Sequence, residues 1–218
     1  MRARRLALDS ETRSGFYRDT TLYVRYTLEG VPIDTLGAFP GDERYVRVDE
    51  EWAASLVGPF ARRSQSAVAG NSLYFGSSDT YQIETYSSDG TLKRLTRRPI
   101  PNRPVTDADV EECERPIRER SETPGPLQQL RRSMTYPETM PAHGRLLVDA
   151  VGNLWVADYD RRRNHEGRWT VFDPDGRMLG TVDTPVNGRI LQIGHDYVLG
   201  VWLGELDVEQ VRVYELLK

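Results

Sequence analysis

The feature that most constrains the fold is a pair of β-hairpins that follow each other directly. LLVDAVGNLWVAD (146–158) alternates apolar residues around Gly152-Asn153, and WTVFDPDGRMLGTV (169–182) turns at Pro174-Asp175-Gly176. Period-two alternation around a small polar turn is typical of a hairpin, because proline presets one turn angle and glycine accepts a positive φ. The pattern predicts an antiparallel meander without intervening helix. Its strands are expected at 145–149, 154–158, 168–173 and 177–182.

The hairpins recur along the chain. An aromatic residue stands four positions before a turn glycine at Tyr26/Gly30, Tyr86/Gly90 and Phe172/Gly176, and Tyr214 takes the same strand setting. The first hairpin recurs at Gly70-Asn71 and, more loosely, at His195-Asp196. Repeated four-stranded antiparallel sheets are typical of a β-propeller. The repeating aromatic residues, and Trp155 and Trp202, are predicted to pack in the core.

The repeats are unevenly spaced because residues 104–137 form an insert. Thr106 and Asp109 predict the capped start of a helix, which Pro116 is predicted to kink or end. GPLQQLRRSM (125–134) predicts a second short helix. The insert has too few apolar residues for a core of its own, so we expect a helical excursion from one blade. The chain is accordingly predicted to form a single domain over 1–218.

The best repeat resembles the six-bladed β-propeller proteins of the NHL and TolB-like type. The matching residues are Val148, Asp149, Gly152, Asn153, Leu154, Trp155, Val156, Phe172, Asp173 and Gly176. The resemblance implies an all-β fold of four-stranded blades, but about three, four, four and three strands fall short of the roughly 24 of a six-bladed ring. We therefore expect an incomplete ring, the C-terminal part of a longer propeller. A closed four-bladed ring and a ring completed by two chains are the alternatives, and open blade edges predict self-association.

Composition restricts the function classes. The formal net charge is only −4 over 218 residues, so no overall field favours nucleic acid. Cys113 is the only cysteine and has no intramolecular disulfide partner. No stretch reaches the roughly 18 apolar residues of a membrane span, and MRARRLALDSET lacks the apolar region of a signal peptide. The compartment stays undetermined, extracytoplasmic if the chain derives from a longer exported protein.

The sequence favours a non-catalytic protein and predicts no metal or cofactor. It contains none of the G-x-S-x-G, H-E-x-x-H, P-loop or C-x-x-C patterns. His143, His165 and His195 are predicted to lie at solvated loops or turns. Asp173 and Asp175 flank a turn proline, where aspartate commonly accepts hydrogen bonds from its own turn. A lactonase-like hydrolase, which the fold resemblance also allows, would need carboxylates that converge on a divalent cation.

Three arginines repeat with the predicted blades. Arg63 and Arg145 lie seven positions before Gly70 and Gly152, and Arg189 lies six before His195. Each precedes the innermost strand of its blade, so Arg63, Arg145, Arg189 and His143 are the candidates for ligand binding at the rim of a central channel. Either acidic neighbours pair with these arginines, or the rim binds a small anionic ligand or an acidic partner segment. A third hypothesis is an interaction scaffold that docks a partner through the helical insert.

Overall fold

The protein is built mainly from β-strands. The computed structural model describes residues 2–3, 12–48, 53–119, 134–161, 166–204, 206 and 208–217, and this part contains a single helix. Its strands form four sheets of three or four strands, and within each sheet consecutive strands pair in antiparallel fashion. The predicted all-β class of antiparallel sheets with one helical insert is therefore confirmed.

The chain divides into two compact units, each discontinuous in sequence. The N-terminal unit comprises residues 1–64 and 102–141, and the three-sheet unit comprises residues 65–101 and 142–218. The insert thus groups with the N-terminal sheet, although in sequence it interrupts the other unit. The single domain over 1–218 stays a prediction.

The N-terminal unit has one meandering sheet and the helix. Its elements are β1 (Arg2–Ala3), β2 (Gly15–Tyr26), β3 (Pro32–Val48), β4 (Ala53–Leu56) and α1 (Asp107–Glu119). The sheet has four strands where the sequence predicted three, and the Tyr26/Gly30 hairpin is its central pair. The ends of the insert are joined by a bridge between Pro104 and Thr139, and Tyr136 packs its ring on Phe60 at 6.0 Å.

Helix α1 begins with the predicted capping box. The Asp109 amide donates to Thr106 Oγ1 at 3.3 Å, and Asp109 Oδ2 accepts from the Thr106 amide at 3.0 Å. Pro116 does not end the helix, because α1 continues to Glu119, and a kink at Pro116 stays a prediction. Pro116 lies near the end of the described helix, and its missing N–H removes only the bond to the Glu112 carbonyl. Residues 125–133, most of the second predicted helix, lie outside the described residues.

The three-sheet unit contains three consecutive meanders. The first sheet holds β5 (Gln65–Ala69), β6 (Ser72–Gly76), β7 (Gln82–Ser87) and β8 (Leu92–Arg97). The second holds β9 (Leu146–Val148), β10 (Leu154–Ala157), β11 (Arg168–Phe172) and β12 (Met178–Asp183). The third holds β13 (Gly188–Ile193), β14 (Tyr197–Leu203) and β15 (Glu209–Glu215). The four strands predicted between 145 and 182 are all present, and the last repeat lacks a fourth strand within the described residues, as predicted.

The middle sheet, β9–β12, is covered on both faces, which explains why every residue of β10 is buried. One face presents Leu154, Val156 and Phe172 to Ile83 and Tyr81 of the first sheet. The opposite face packs on the third sheet with the residues Trp155, Ala157, Trp169 and Val171. Alternating residues of one strand thus belong to two different cores.

The turns that follow the repeating aromatic residues have the same hydrogen-bond geometry, which also occurs at Gly152. In the turns that end with Gly30, Gly90, Gly152 and Gly176, the glycine amide donates to the carbonyl three residues earlier, at 2.9–3.1 Å. These glycines have φ between 80° and 93°, a conformation that L side chains rarely adopt. Gly70-Asn71 instead forms a two-residue turn between the paired Ala69 and Ser72.

The core prediction for the aromatic residues holds with two exceptions, Tyr26 and Tyr86. Tyr86 is only partly buried, and its hydroxyl donates to Glu84 Oε2 at 2.7 Å. Phe172, Trp155 and Trp202 are buried, and Tyr214 packs edge-on against Trp202 at 4.9 Å. Tyr26 is 45% exposed, because it lies beside the turn of the long β2–β3 hairpin.

Candidate functional site

Arg145 and Arg189 occupy the same level of two adjacent sheets. The Arg145 carbonyl accepts from the amide of Ala157 at the end of β10, and Arg189 pairs with Val201 near the end of β14. Leu154 and Val198 hold the same position after their hairpin turns. Ala157 and Val201 each lie three residues further along, so these two residues are equivalent. The predicted repeat of these two arginines is thus matched by the strand register.

Arg63 differs from the other two arginines. At the level of Arg145, the first sheet has Gln65, which pairs with Gly76. Arg63 lies two residues earlier, in the N-terminal unit, with an exposed side chain. The shift of two residues arises because Gly70 is the first residue of a two-residue turn, whereas Gly152 is the last residue of a three-residue turn. The neighbouring Arg62 has a structural contact instead: its guanidinium donates to the carbonyl and the hydroxyl of Thr139 at 2.6 and 2.7 Å.

Arg145 is held by an ion pair and by the next sheet. Its Nη1 donates to Glu166 Oε2 at 3.0 Å, its Nη2 donates to the Ile190 carbonyl, and its guanidinium carbon lies 5.9 Å from the Trp169 ring centroid. Burial lowers the pKa of Arg145, which Glu166 opposes and the charge of Arg189 reinforces. Burial also raises the pKa of Glu166, against the pull of both arginines. Guanidinium keeps its proton near neutral pH, so Arg145 is a cation.

Arg189 has a different environment from Arg145. Its neighbour Ile190 is buried against the middle sheet, so Arg189 points to the opposite face of its strand and is exposed. Within the described residues it makes no ion pair shorter than 4 Å, although its charge acts on Glu166. We call Arg145, Glu166 and Arg189 the cluster: an ion pair and, within the described residues, an exposed cation whose charge acts on Glu166.

His143 is buried, not solvated as predicted. Its side chain is 1% exposed, Nδ1 donates to the Gly144 carbonyl at 2.9 Å, and the ring packs edge-on against Tyr81 at 5.9 Å. A methyl group on Gly76 would lie 2.5 Å from Cε1 of His143, so the ring fits because that position is glycine. Burial lowers the pKa of His143, which the bond to Gly144 and the charge of Asp79 partly oppose. His143 thus fixes the segment that precedes Arg145.

His195 is exposed at its turn, as predicted, and His165 lies outside the described residues. Asp173 has the predicted turn role, because its Oδ1 accepts from the amides of Asp175 and Arg177 at 2.9 and 2.8 Å. Asp149 likewise accepts hydrogen bonds from amides of its own turn. In addition, its carboxylate accepts from the buried indole N–H of Trp155 at 3.0 Å.

Further charged side chains lie at the same end of the strands as Arg145. Arg98, which follows β8, donates to Thr170 Oγ1 at 2.9 Å and lies 5.1 Å from the Tyr81 ring centroid. Burial raises the pKa of Asp158, and the charges of Arg98 and Arg168 oppose the rise. The strand ends of the first two sheets thus add mixed charges around the cluster.

Sequence reasoning missed Glu166. Glu166 follows the basic run DRRRN with no repeat signal of its own, and its role depends on the approach of Arg145, 21 residues away. A carboxylate within a run of arginines is the one available hint, since such a residue commonly pairs with a nearby cation.

Within the described ranges, no group of three or more His, Cys, Asp or Glu residues is arranged to hold a metal ion. The helix that the structure describes is neither long nor apolar enough to cross a membrane. No model of a known protein family and no curated protein matches this chain.

Proposed function

We propose that this protein is a non-catalytic binding module of the β-propeller kind that recognises an anionic group through Arg189. The anion is carried by a small ligand or by an acidic segment of a partner protein. The observation that supports the proposal is the charge balance of the cluster: Glu166 pairs with Arg145 at 3.0 Å, which leaves Arg189 as an exposed second cation whose charge acts on Glu166. Guanidinium forms strong paired hydrogen bonds with carboxylates and phosphates.

The arrangement favours binding over catalysis for a physical reason. Glu166, the carboxylate of the cluster, is held in an ion pair, and Arg145 is fixed by that pair and by the Ile190 carbonyl. Both groups are positioned as fixed charges. An exposed arginine next to a fixed ion pair can hold an anion by charge alone, without a proton transfer.

The propeller part of the proposal is supported by the three-sheet unit. Its sheets are consecutive meanders, each packs face to face on the next through alternating apolar residues, and the first strands β5 and β9 lie next to each other. Those are properties of neighbouring blades, whose first strands line the axis. In such a ring the Arg145–Arg189 end would form the channel rim, and the ring would be incomplete.

The test is an anion titration of the whole chain at low protein concentration. Hexaglutamate and inorganic phosphate are titrated separately by calorimetry, which distinguishes an acidic segment from a small ligand. We expect Arg189→Ala to weaken binding of the preferred anion at least tenfold without lowering the melting temperature. Arg177→Ala is the matched control, because Arg177 is exposed at the opposite end of the middle sheet.

Arg145→Ala is expected to lower the melting temperature as well, since it leaves the partly buried Glu166 without its ion-pair partner. Equal binding by wild type and Arg189→Ala would overturn the proposal. Equal losses in Arg189→Ala and Arg177→Ala would overturn it too, because binding would then follow overall charge.

A further inference from the structure

The third sheet presents an apolar face away from the middle sheet, which we call the outer face. It carries Leu199 and Val201 of β14 beside Val213 and Val211 of β15, with Arg189 next to Val201. Val211 and Val213 are 71% and 65% exposed. Adjacent apolar side chains on a sheet face that is open to solvent are a common sign of an interaction surface.

The outer face has the same arrangement of residues as the face of the middle sheet that packs on the third sheet. Counted from the hairpin turns, its four apolar residues and Arg189 correspond to five residues of the middle sheet: Trp155, Ala157, Val171, Trp169 and Arg145. The third sheet covers these apolar residues, and its Ile190 carbonyl accepts a hydrogen bond from Arg145. The same apolar register on the outer face therefore marks it as a surface that can pack on another sheet.

The charges around the outer face suit a second copy of this chain. By alternation along β15, Glu209 and Glu215 point to the same side as Val211 and Val213, and both are exposed. The face thus has an apolar centre, with Arg189 and Glu209 at one end and Glu215 at the other, as in a protein interface with a charged rim. Under a two-fold axis along the strands, Arg189 of one copy comes near Glu209 of the other, so this end of the face complements itself, while Glu215 stays at the exposed rim.

We infer that the outer faces of two copies pack together in a symmetric dimer. A two-fold axis along the strands lays β13 of each copy over β15 of the other, in the aligned packing of two sheets. Arg189, at the level of Val211, then lies one outward-facing position from Glu209 of the second copy. Arg189 is shared with the proposed anion site, whereas the apolar centre of the interface is not.

The size of the face predicts a weak dimer. Three strands spaced about 4.8 Å apart and seven residues long at about 3.4 Å each give a footprint of roughly 340 Å² per copy. A stable interface buries about 800 Å² per partner. We therefore expect a weak dimer, with free chains at low micromolar concentration.

The test is sedimentation velocity of the full chain from 1 to 200 μM. Wild type should shift from monomer to dimer over this range, and Val213→Arg should weaken association at least tenfold. Val68→Arg is the matched control, since Val68 is 74% exposed on β5 of the first sheet, and it should dimerise like wild type. Val213→Arg should bind the anion as wild type does, which separates this inference from the proposed function.

A charge exchange gives a second test that does not alter the apolar centre. Arg189→Glu and Glu209→Arg should each weaken the dimer, and the double variant should restore it. A wild type that stays monomeric at 200 μM would overturn the inference. So would equal losses in Val213→Arg and Val68→Arg, or a Val213→Arg variant that folds and associates like wild type, because a different surface would then carry the contact.

Discussion

Removing the Asp149 carboxylate should destabilise the three-sheet unit far more than removing an equivalent turn aspartate. Asp149 is 8% exposed, and its Oδ1 accepts from the amides of Val151 and Asn153 at 3.0 and 2.8 Å. Its Oδ2 accepts from Asn153 Nδ2 at 2.8 Å and from Trp155 Nε1 at 3.0 Å. One side chain therefore fixes both the turn and a core tryptophan.

The size of the effect follows from these contacts. Charge-assisted bonds to the turn amides contribute about 1.5–3 kcal/mol, and a buried indole N–H left without its acceptor costs about 1–3 kcal/mol more. Asp149→Ala should therefore lower the free energy of unfolding by about 3–5 kcal/mol. At this chain length each kcal/mol moves the melting temperature by roughly 2–4 °C, so we expect a fall of roughly 10 °C.

The assay is urea denaturation followed by tryptophan fluorescence, together with thermal unfolding. Asp173→Ala is the matched control, because Asp173 accepts from two equivalent turn amides and from no indole. It should cost only the turn contribution of about 1.5–3 kcal/mol. Trp155→Phe removes the indole N–H, so in that background Asp149→Ala should cost about 1–3 kcal/mol less. Equal losses in Asp149→Ala and Asp173→Ala, or no coupling to Trp155, would refute the reasoning.

The other predictions concern pH and the helix cap. Burial holds the pKa of His143 below its ordinary value of about 6.5, so below that pH the unfolded chain takes up a proton that the folded chain resists. Stability should fall with decreasing pH by at most about 1.4 kcal/mol per pH unit, down to the folded pKa. The measurement is the urea midpoint at pH 7.5, 6.5 and 5.5. Wild type and the exposed control His195→Gln should show this dependence of stability on pH, and His143→Gln should show less of it. The same dependence in His143→Gln as in wild type would contradict the prediction. Thr106→Ala should destabilise α1 by about 1 kcal/mol, because Thr106 caps the Asp109 amide. The loss is measured by thermal unfolding and is contradicted by an unchanged melting temperature.

The hairpins and the helix start could be predicted from the sequence because they depend on residues close together in the chain. Apolar alternation and a turn glycine were enough to place β9 to β12 to within two residues, and Thr106 with Asp109 was enough for the start of α1. The turn role of Asp173 is local in the same sense, since its acceptors and donors span four residues.

The candidate site required the tertiary structure, because its contacts join distant parts of the chain. Arg145 meets Glu166 across 21 residues and the Ile190 carbonyl across 45, and neither meeting follows from a local pattern. The register also depends on turn lengths and on the bulge between Ile190 and Gln192, so an alignment on glycines gave Arg63 where the strands place Gln65. His143 is buried because the glycine at position 76, on another sheet, leaves room for its ring. The sequence determined which segments become strands and turns, whereas the stacking of sheets decided which charges meet and which one, Arg189, faces solvent.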